Sequence, residues 1–285
     1  MTESLENLKR YIGRSETATD VVTGSAMVKI AATLGLEKPA SAKGDPIPPG
    51  WYGAFFPPSH RPSEMRADGQ AASGGILPPV PLPRRRLGGV RMSFHEPLRI
   101  GDEITRVSEI ADITVNEDKS GSMVLLAERN SISNPRGLAV VEERDVIWLS
   151  EGRAEGKSAT PPAVPAEAAW RRVIEPNPAL LFRFSAVRFN SHRIHYDRDY
   201  VTKVEGLPGL VVQGTLVSQL LIEMCRSELP TRKITYFGYQ AVRQIYDTGP
   251  FTIAGAPAAD GREAALWAVA ADGKLAMTAT AKFAQ

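Results

Sequence analysis

The side chains best suited to moving protons crowd into one short run, Arg183-Phe-Ser-Ala-Val-Arg-Phe-Asn-Ser-His-Arg-Ile-His-Tyr-Asp197. Two of the four histidines in the chain, His192 and His195, lie here, with Asn190 just before them. An unperturbed imidazole titrates at ~6.5, near working pH, so it can both take and return a proton. The run begins with the alternation of a strand and ends in a polar cluster. Further on, Gly214 and Thr215 open a predicted helix. Backbone N–H groups at a helix start favour negative charge, and glycine there lets a ligand approach closely. By residue type alone His195 also reads as a structural histidine, Asn190 as a turn or cap residue and Gly214 as a plain helix start.

An internal repeat indicates which elements must position these groups. Val21-Val-Thr-Gly-Ser25 and Val211-Val-Gln-Gly-Thr215 share the pattern Val-Val-polar-Gly-hydroxyl. Each precedes the same apolar spacing: Ala26, Met27, Ile30, Ala31 and Leu34 in one, Leu216, Val217, Leu220, Leu221 and Met224 in the other. That spacing marks one buried helical face. Four strand-like runs follow each helix, near 90–98, 103–115, 122–133 and 138–149, then near 233–243, 251–256, 263–270 and 274–283. Their alternation suits an antiparallel sheet with one buried face. The expected class is therefore α+β: a helix wrapped by a curved sheet, used twice, with the halves paired as an internal pseudo-dimer so that fewer edges stay open. Residues 1–150 form the first half, 151–168 a Pro/Gly/Ala-rich linker and 169–285 the second half. Residues 37–89 hold 11 of the 22 prolines together with Trp51, Tyr52, Phe55 and Phe56, and are expected as a long irregular insertion that covers a site or packs on a neighbouring surface. The 183–197 run has no counterpart in the first half, because too little chain precedes Gly24. Its chemistry therefore belongs to the second half.

Composition narrows the class. Of the 285 residues 43% are hydrophobic and 23% charged, as in an ordinary globular protein. A net charge of +2 gives no reason to expect a nucleic-acid partner, and Arg84-Arg85-Arg86 is too short for a binding tail. No run approaches the ~18 apolar residues of a membrane span. The single cysteine, Cys225, has no partner for an internal disulfide, and the N-terminus lacks a signal-peptide core, so a cytoplasmic location is expected. The histidines and Cys225 lack metal-ligand spacing, so neither a metal nor another cofactor is expected. Cys225 reads as a small buried thiol, and His60 and His95 as structural or solvent-facing.

The stretch Phe189-Asn-Ser-His-Arg-Ile-His-Tyr-Asp197, followed by Glu205-Gly-Leu-Pro-Gly-Leu-Val-Val-Gln-Gly-Thr-Leu216, resembles the active-site region of MaoC-like (R)-specific hydratases and dehydratases. It is most similar to the subgroup of mesaconyl-CoA and itaconyl-CoA hydratases and mitochondrial-type 3-hydroxyacyl thioester dehydratases. Tyr11-Ile-Gly-Arg-Ser-Glu-Thr-Ala-Thr-Asp-Val-Val22 and Leu82-Pro-Arg-Arg-Arg-Leu-Gly-Gly89 resemble that subgroup's first half. The resemblance implies a double hot-dog fold with a catalytic second half. The broader family pattern is Asp-x-Asn-Pro-(aliphatic)-His, whose Asp and His are the catalytic pair. Here the His is His195, Asn190 stands in place of the Asp, and Asn-Pro becomes His192-Arg193. An amide cannot exchange a proton as a carboxylate does. The implied roles are therefore proton transfer by His195 and water orientation by Asn190. Gln213, where many relatives carry a second histidine, has no proton-transfer role.

Adding water to a 2,3-unsaturated thioester needs a base for the water attacking C3, a proton for C2, and a donor to the thioester oxygen. The last task falls to the N–H groups of Gly214 and Thr215. The expected substrate is a short acyl-CoA, branched or dicarboxylic, such as mesaconyl-C4-CoA or itaconyl-CoA giving citramalyl-CoA. Dehydration of a 3-hydroxyacyl group on acyl carrier protein is the alternative, and a hot dog that only binds acyl-CoA is another. Arg84, Arg85, Arg86, Arg193 and Arg243 are the candidates for the CoA phosphates and a second carboxylate. A homodimer is the expected assembly.

Overall fold

The computed structural model describes residues 4–37, 41–58, 60–71, 75–119, 121–151 and 163–284. Ten strands form one sheet: β1 (Ser15–Val21), β2 (Arg84–Phe94), β3 (Glu103–Asp118), β4 (Gly121–Asn134), β5 (Gly137–Leu149), β6 (Trp170–Ile174), β7 (Ile234–Ala241), β8 (Phe251–Pro257), β9 (Glu263–Val269) and β10 (Leu275–Phe283). Their order is β1-β3-β4-β5-β2-β7-β10-β9-β8-β6. Read from the middle, the two halves repeat one another, with β2 and β7 as the shared seam. That seam is antiparallel, with Met92 opposite Phe237 and Val90 opposite Tyr239. This is the double hot-dog architecture.

Two α-helices occupy equivalent places, α1 (Gly24–Leu34) and α4 (Gly214–Glu228). Met27, Ile30 and Ala31 of α1 and Leu216, Val217, Leu221 and Met224 of α4 are buried in the one main core, as the spacing requires. The sheet's two edges are its weakest strands. β1 is almost wholly polar, and β6 is only five residues long and carries Arg171 and Arg172. Neither is signalled by hydrophobic alternation.

Three expectations need correction. The run from Arg183 is not a strand: Pro178–Val187 is a helix, α2. Asn177 caps it, its side chain accepting from the Leu180 N–H at 2.9 Å, and Pro178 stands in the first turn. Leu181, Phe184 and Ser185 then make the buried helical stripe. The irregular insertion ends at residue 83 rather than 89, because Arg84–Leu87 pair with Val146–Leu149 of β5. A bulge at Gly88-Gly89 interrupts that pairing, and a Cβ on Gly88 would sit 2.8 Å from the Ile147 side chain. Of the stretch expected as a linker, residues 152–162 lie outside the described residues.

The seam sets a stability test. Phe237 is fully buried between the helices and the sheet. Phe237→Ala is expected to lower unfolding free energy by ~3–5 kcal/mol. Val204→Ala, at a position 69% exposed, should stay within about 0.5 kcal/mol of wild type. Urea denaturation of both variants checks this; equal effects would remove the seam from the centre of the core.

Candidate active site

Helix α2 ends in a Schellman turn that delivers Asn190. The Asn190 N–H donates to the Ser185 carbonyl at 2.8 Å and the Phe189 N–H to the Ala186 carbonyl at 3.2 Å. Phe189 holds the left-handed position with φ 50°, where glycine is the usual occupant. Its ring is 63% exposed, so little packing offsets the strain. Phe189 also lines the cavity described below. The Asn190 Oδ1 accepts from the His192 N–H at 3.1 Å.

The chain then makes one 3-10 turn, Arg193–His195, and enters a short helix, α3 (Arg198–Lys203). Asp197 caps α3, accepting from the Tyr200 N–H at 3.0 Å. The His195 ring is 8% exposed, and its Nδ1 lies 2.7 Å from the Val211 carbonyl. A carbonyl only accepts, so Nδ1 carries the proton and Nε2 keeps its lone pair. Val211 stands three residues before the start of α4, which places the imidazole beside that helix's amino end. His192 meets the His195 ring edge-on at 5.4 Å, and its own Nδ1 pairs with the Gln70 amide at 2.9 Å. Burial pulls both imidazoles down to about 4.

The amino end of α4 is uncapped. The Gln213 side chain turns away, donating to the Leu181 carbonyl and the Ser185 hydroxyl, both at 2.9 Å. The N–H groups of Gly214 and Thr215 have no hydrogen-bond partner among the described residues. A Cβ on Gly214 would meet only the Met277 methyl, at 3.8 Å. The protein's own packing therefore does not demand glycine here. The equivalent place in the first half is plugged, since the Ser41 carbonyl stands 2.6 Å from where a Cβ on Gly24 would be.

A cavity of about 1410 Å³ opens beside α4, with Asn190, Thr215 and Ser218 in its wall. His195 is not part of that wall. The insertion closes over this region. The Trp51 indole donates to Glu223 at 2.8 Å, Gln219 donates to the Pro49 carbonyl at 3.2 Å, and the Arg193 N–H donates to the Asp68 carbonyl at 2.8 Å. His60, read from sequence as structural or solvent-facing, also lines the cavity.

Of the five arginines singled out from sequence, Arg85 lines the cavity, with its guanidinium over the Trp148 ring at 5.5 Å. Arg84 and Arg86 precede and follow it on β2, and Arg84 donates to the Ser150 carbonyl at 3.1 Å. Arg193 is held by Asp197 at 2.8 Å and lies over Tyr200. Arg243 pairs with Asp272 at 2.8 Å, and neither lines the cavity. Sequence reasoning missed Arg66, Arg106, Arg144 and Arg188, which do line it. Arg144 had a readable signal. Glu142 and Arg144 occupy the same face of β5 as the apolar Val140, Val146 and Trp148. Glu142 pairs with Arg144 at 2.5 Å and accepts from the Tyr52 hydroxyl at 2.5 Å. Despite the cost of burial, Arg144 and this bond hold the carboxyl below its ordinary value. Cys225 is fully buried and its thiol is pushed up to about 12, which leaves it inert.

A family profile for hydroxyacyl-thioester dehydratase type 2 matches residues 50–247. The chain is 38% identical to the mesaconyl-C(4)-CoA hydratase of Chloroflexus aurantiacus, covering 95% of each protein. It is 25% identical to the mitochondrial hydroxyacyl-thioester dehydratase type 2 of Schizosaccharomyces pombe, covering 82% of this chain and 87% of that one. Among solved structures, a MaoC-like dehydratase superposes with a TM-score of 0.70 at 14% identity, covering 97% of this chain and all of that one. A second, from Phytophthora capsici, superposes at 0.68 and 12% identity over 99% of both. The chain belongs to the hydroxyacyl-thioester dehydratase type 2 family, as an enzyme of the hydratase–dehydratase class that acts on thioesters.

Proposed function

We propose that the enzyme hydrates a short, branched dicarboxylic enoyl-CoA, mesaconyl-C4-CoA or itaconyl-CoA, to citramalyl-CoA. The observation that carries this is the pairing of a neutral imidazole, with Nε2 free to accept, and an uncapped helix start whose N–H groups are free to donate. The relative named a mesaconyl-C(4)-CoA hydratase supports the acyl group. In this reading Asn190 holds the water and His195 Nε2 takes its proton as oxygen bonds to C3. The imidazolium then returns a proton to C2 of mesaconyl-C4-CoA; in itaconyl-CoA, whose double bond joins C3 to the terminal methylene, that methylene takes the proton instead. The N–H groups of Gly214 and Thr215 hold the thioester oxygen as negative charge builds on it. Arg85, at the cavity wall, meets the CoA phosphates.

The proposed division of labour makes residues 1–150 the scaffold, 151–168 the joint and 169–285 the catalytic half. The carbonyl over Gly24 and the open space over Gly214 support that asymmetry. Among the described residues no helix is long and apolar enough to cross a membrane. The proposed setting is a cytoplasmic homodimer, supported by a lone thiol that needs no oxidising compartment and by the exposed Phe182 and edge-strand Val173.

Two measurements test this reading. With mesaconyl-C4-CoA followed at the enoyl-thioester absorbance, His195→Ala should lose about 10²–10⁴-fold in kcat, with circular dichroism showing the variant folded at the assay temperature. Retention of more than a tenth of the activity would remove His195 from the chemistry. The second measurement is pH dependence. Both buried histidines bind protons only near pH 4 when folded, against about 6.5 when unfolded. Between these values the unfolded chain holds more protons, so stability falls as pH drops from 6.5 towards 4, by up to about 1.4 kcal/mol per pH unit for each histidine. Because the base must be neutral, the acid limb of kcat/KM should lie well below pH 6.5. A limb centred near 6.5 would mean a solvated imidazole and contradict the buried one.

A further inference from the structure

The cavity wall carries five arginines, at 66, 85, 106, 144 and 188, against three carboxylates, at 16, 20 and 142. Arg66 pairs with Asp68, Arg106 with Glu16 at 3.9 Å and Arg144 with Glu142. The Arg188 side chain makes no hydrogen bond or salt bridge among the described residues, although Glu142, already paired with Arg144, attracts it; its guanidinium lies 5.7 Å from the Phe184 ring centre. It stands at the end of α2, two residues before Asn190. Room for it comes from the insertion, since a Cβ on Gly53 would overlap its Nη1. Tyr239 lines the same cavity; its buried hydroxyl has no well-formed hydrogen bond among the described residues, with the Ser218 hydroxyl near it. Arg188 and Tyr239 interact electrostatically, and Tyr239 titrates near 12, so it remains a donor.

A half-buried guanidinium with no salt bridge of its own and a buried hydroxyl with no well-formed hydrogen bond face one cavity and leave donors for an anion. We infer that Arg188 and Tyr239 bind the free carboxylate of the acyl group, so that Arg188 decides between dicarboxylic and monocarboxylic thioesters. This rests on the dicarboxylic reading above and assigns its specificity to residues. The chemistry agrees with the placement. In mesaconyl-C4-CoA the carboxylate is carried by C3, the carbon that receives hydroxyl, so its receptor must adjoin the residue that orients the water. A guanidinium matches a carboxylate with two parallel N–H donors, and a substrate carboxylate adds to the partial compensation that Glu142 gives for its burial.

The test compares kcat/KM for mesaconyl-C4-CoA and crotonyl-CoA, using the purified full chain. Wild type should favour the dicarboxylic thioester. In Arg188→Met the ratio of the two should fall by about 100-fold, expressed mainly in KM, with Arg188→Lys between, because an ammonium lacks the planar fork. Tyr239→Phe, and Gly53→Ala, which displaces the guanidinium while leaving it present, should each lower the ratio by about 10-fold; these two carry the test should Arg188→Met not fold. A wild-type enzyme without preference for mesaconyl-C4-CoA would overturn the substrate reading together with this inference. A wild-type preference that survives in Arg188→Met, or equal losses on both thioesters, would overturn the assignment of Arg188 alone.

Discussion

The bond from His195 Nδ1 to the Val211 carbonyl joins the two parts of the site that differ most in origin. One is a polar turn after α2; the other is the buried approach to α4. A single 2.7 Å contact sets the tautomer and holds the ring beside the start of the helix that offers the free N–H groups. It also keeps the imidazole out of bulk solvent, where the ring would be half protonated near pH 6.5. Asn190, standing where the broader MaoC-like pattern has Asp, fits this arrangement. With the tautomer fixed by a backbone carbonyl, the neighbouring side chain need not be charged. An amide can both accept and donate towards a water.

The first half serves the second through its insertion. Tyr52, Gly53 and Gly50 crowd against Glu142, Arg188 and Gln219 respectively, so a Pro-rich loop from one repeat forms the roof over the helix of the other. This explains why such a long irregular stretch persists in a compact fold: its buried aromatics belong to the main core. The charges beneath it pay for their burial by pairing, Glu142 with Arg144 and Tyr52, Glu223 with Trp51 and Gln219. Arg188 has Glu142 nearby but no salt bridge of its own among the described residues.

The repeat around Gly24 and Gly214, the two buried helices and eight of the ten strands were legible, because hydrophobic period and glycine placement are local signals. β1 and β6 were not. They are edge strands whose pairing is set by β3 and β8, and they have little apolar alternation of their own. The helical nature of residues 183–187 was hidden by a chance alternation, although Asn177-Pro178 announced a helix start. His195, Asn190, Gly214 and Thr215 were nominated through a motif. The cavity arginines were mostly missed because arginine type says nothing of burial. Arg144 was the exception in principle, a charge on the apolar face of β5.

The most direct test of the central claim is ¹⁵N NMR of histidine-labelled protein at pH 7, with His195 assigned by substitution. The account predicts a neutral ring whose Nδ1 gives a protonated, pyrrole-like signal and whose Nε2 gives an unprotonated, pyridine-like one. A ring protonated at both nitrogens, or a proton on Nε2 with Nδ1 bare, would contradict it.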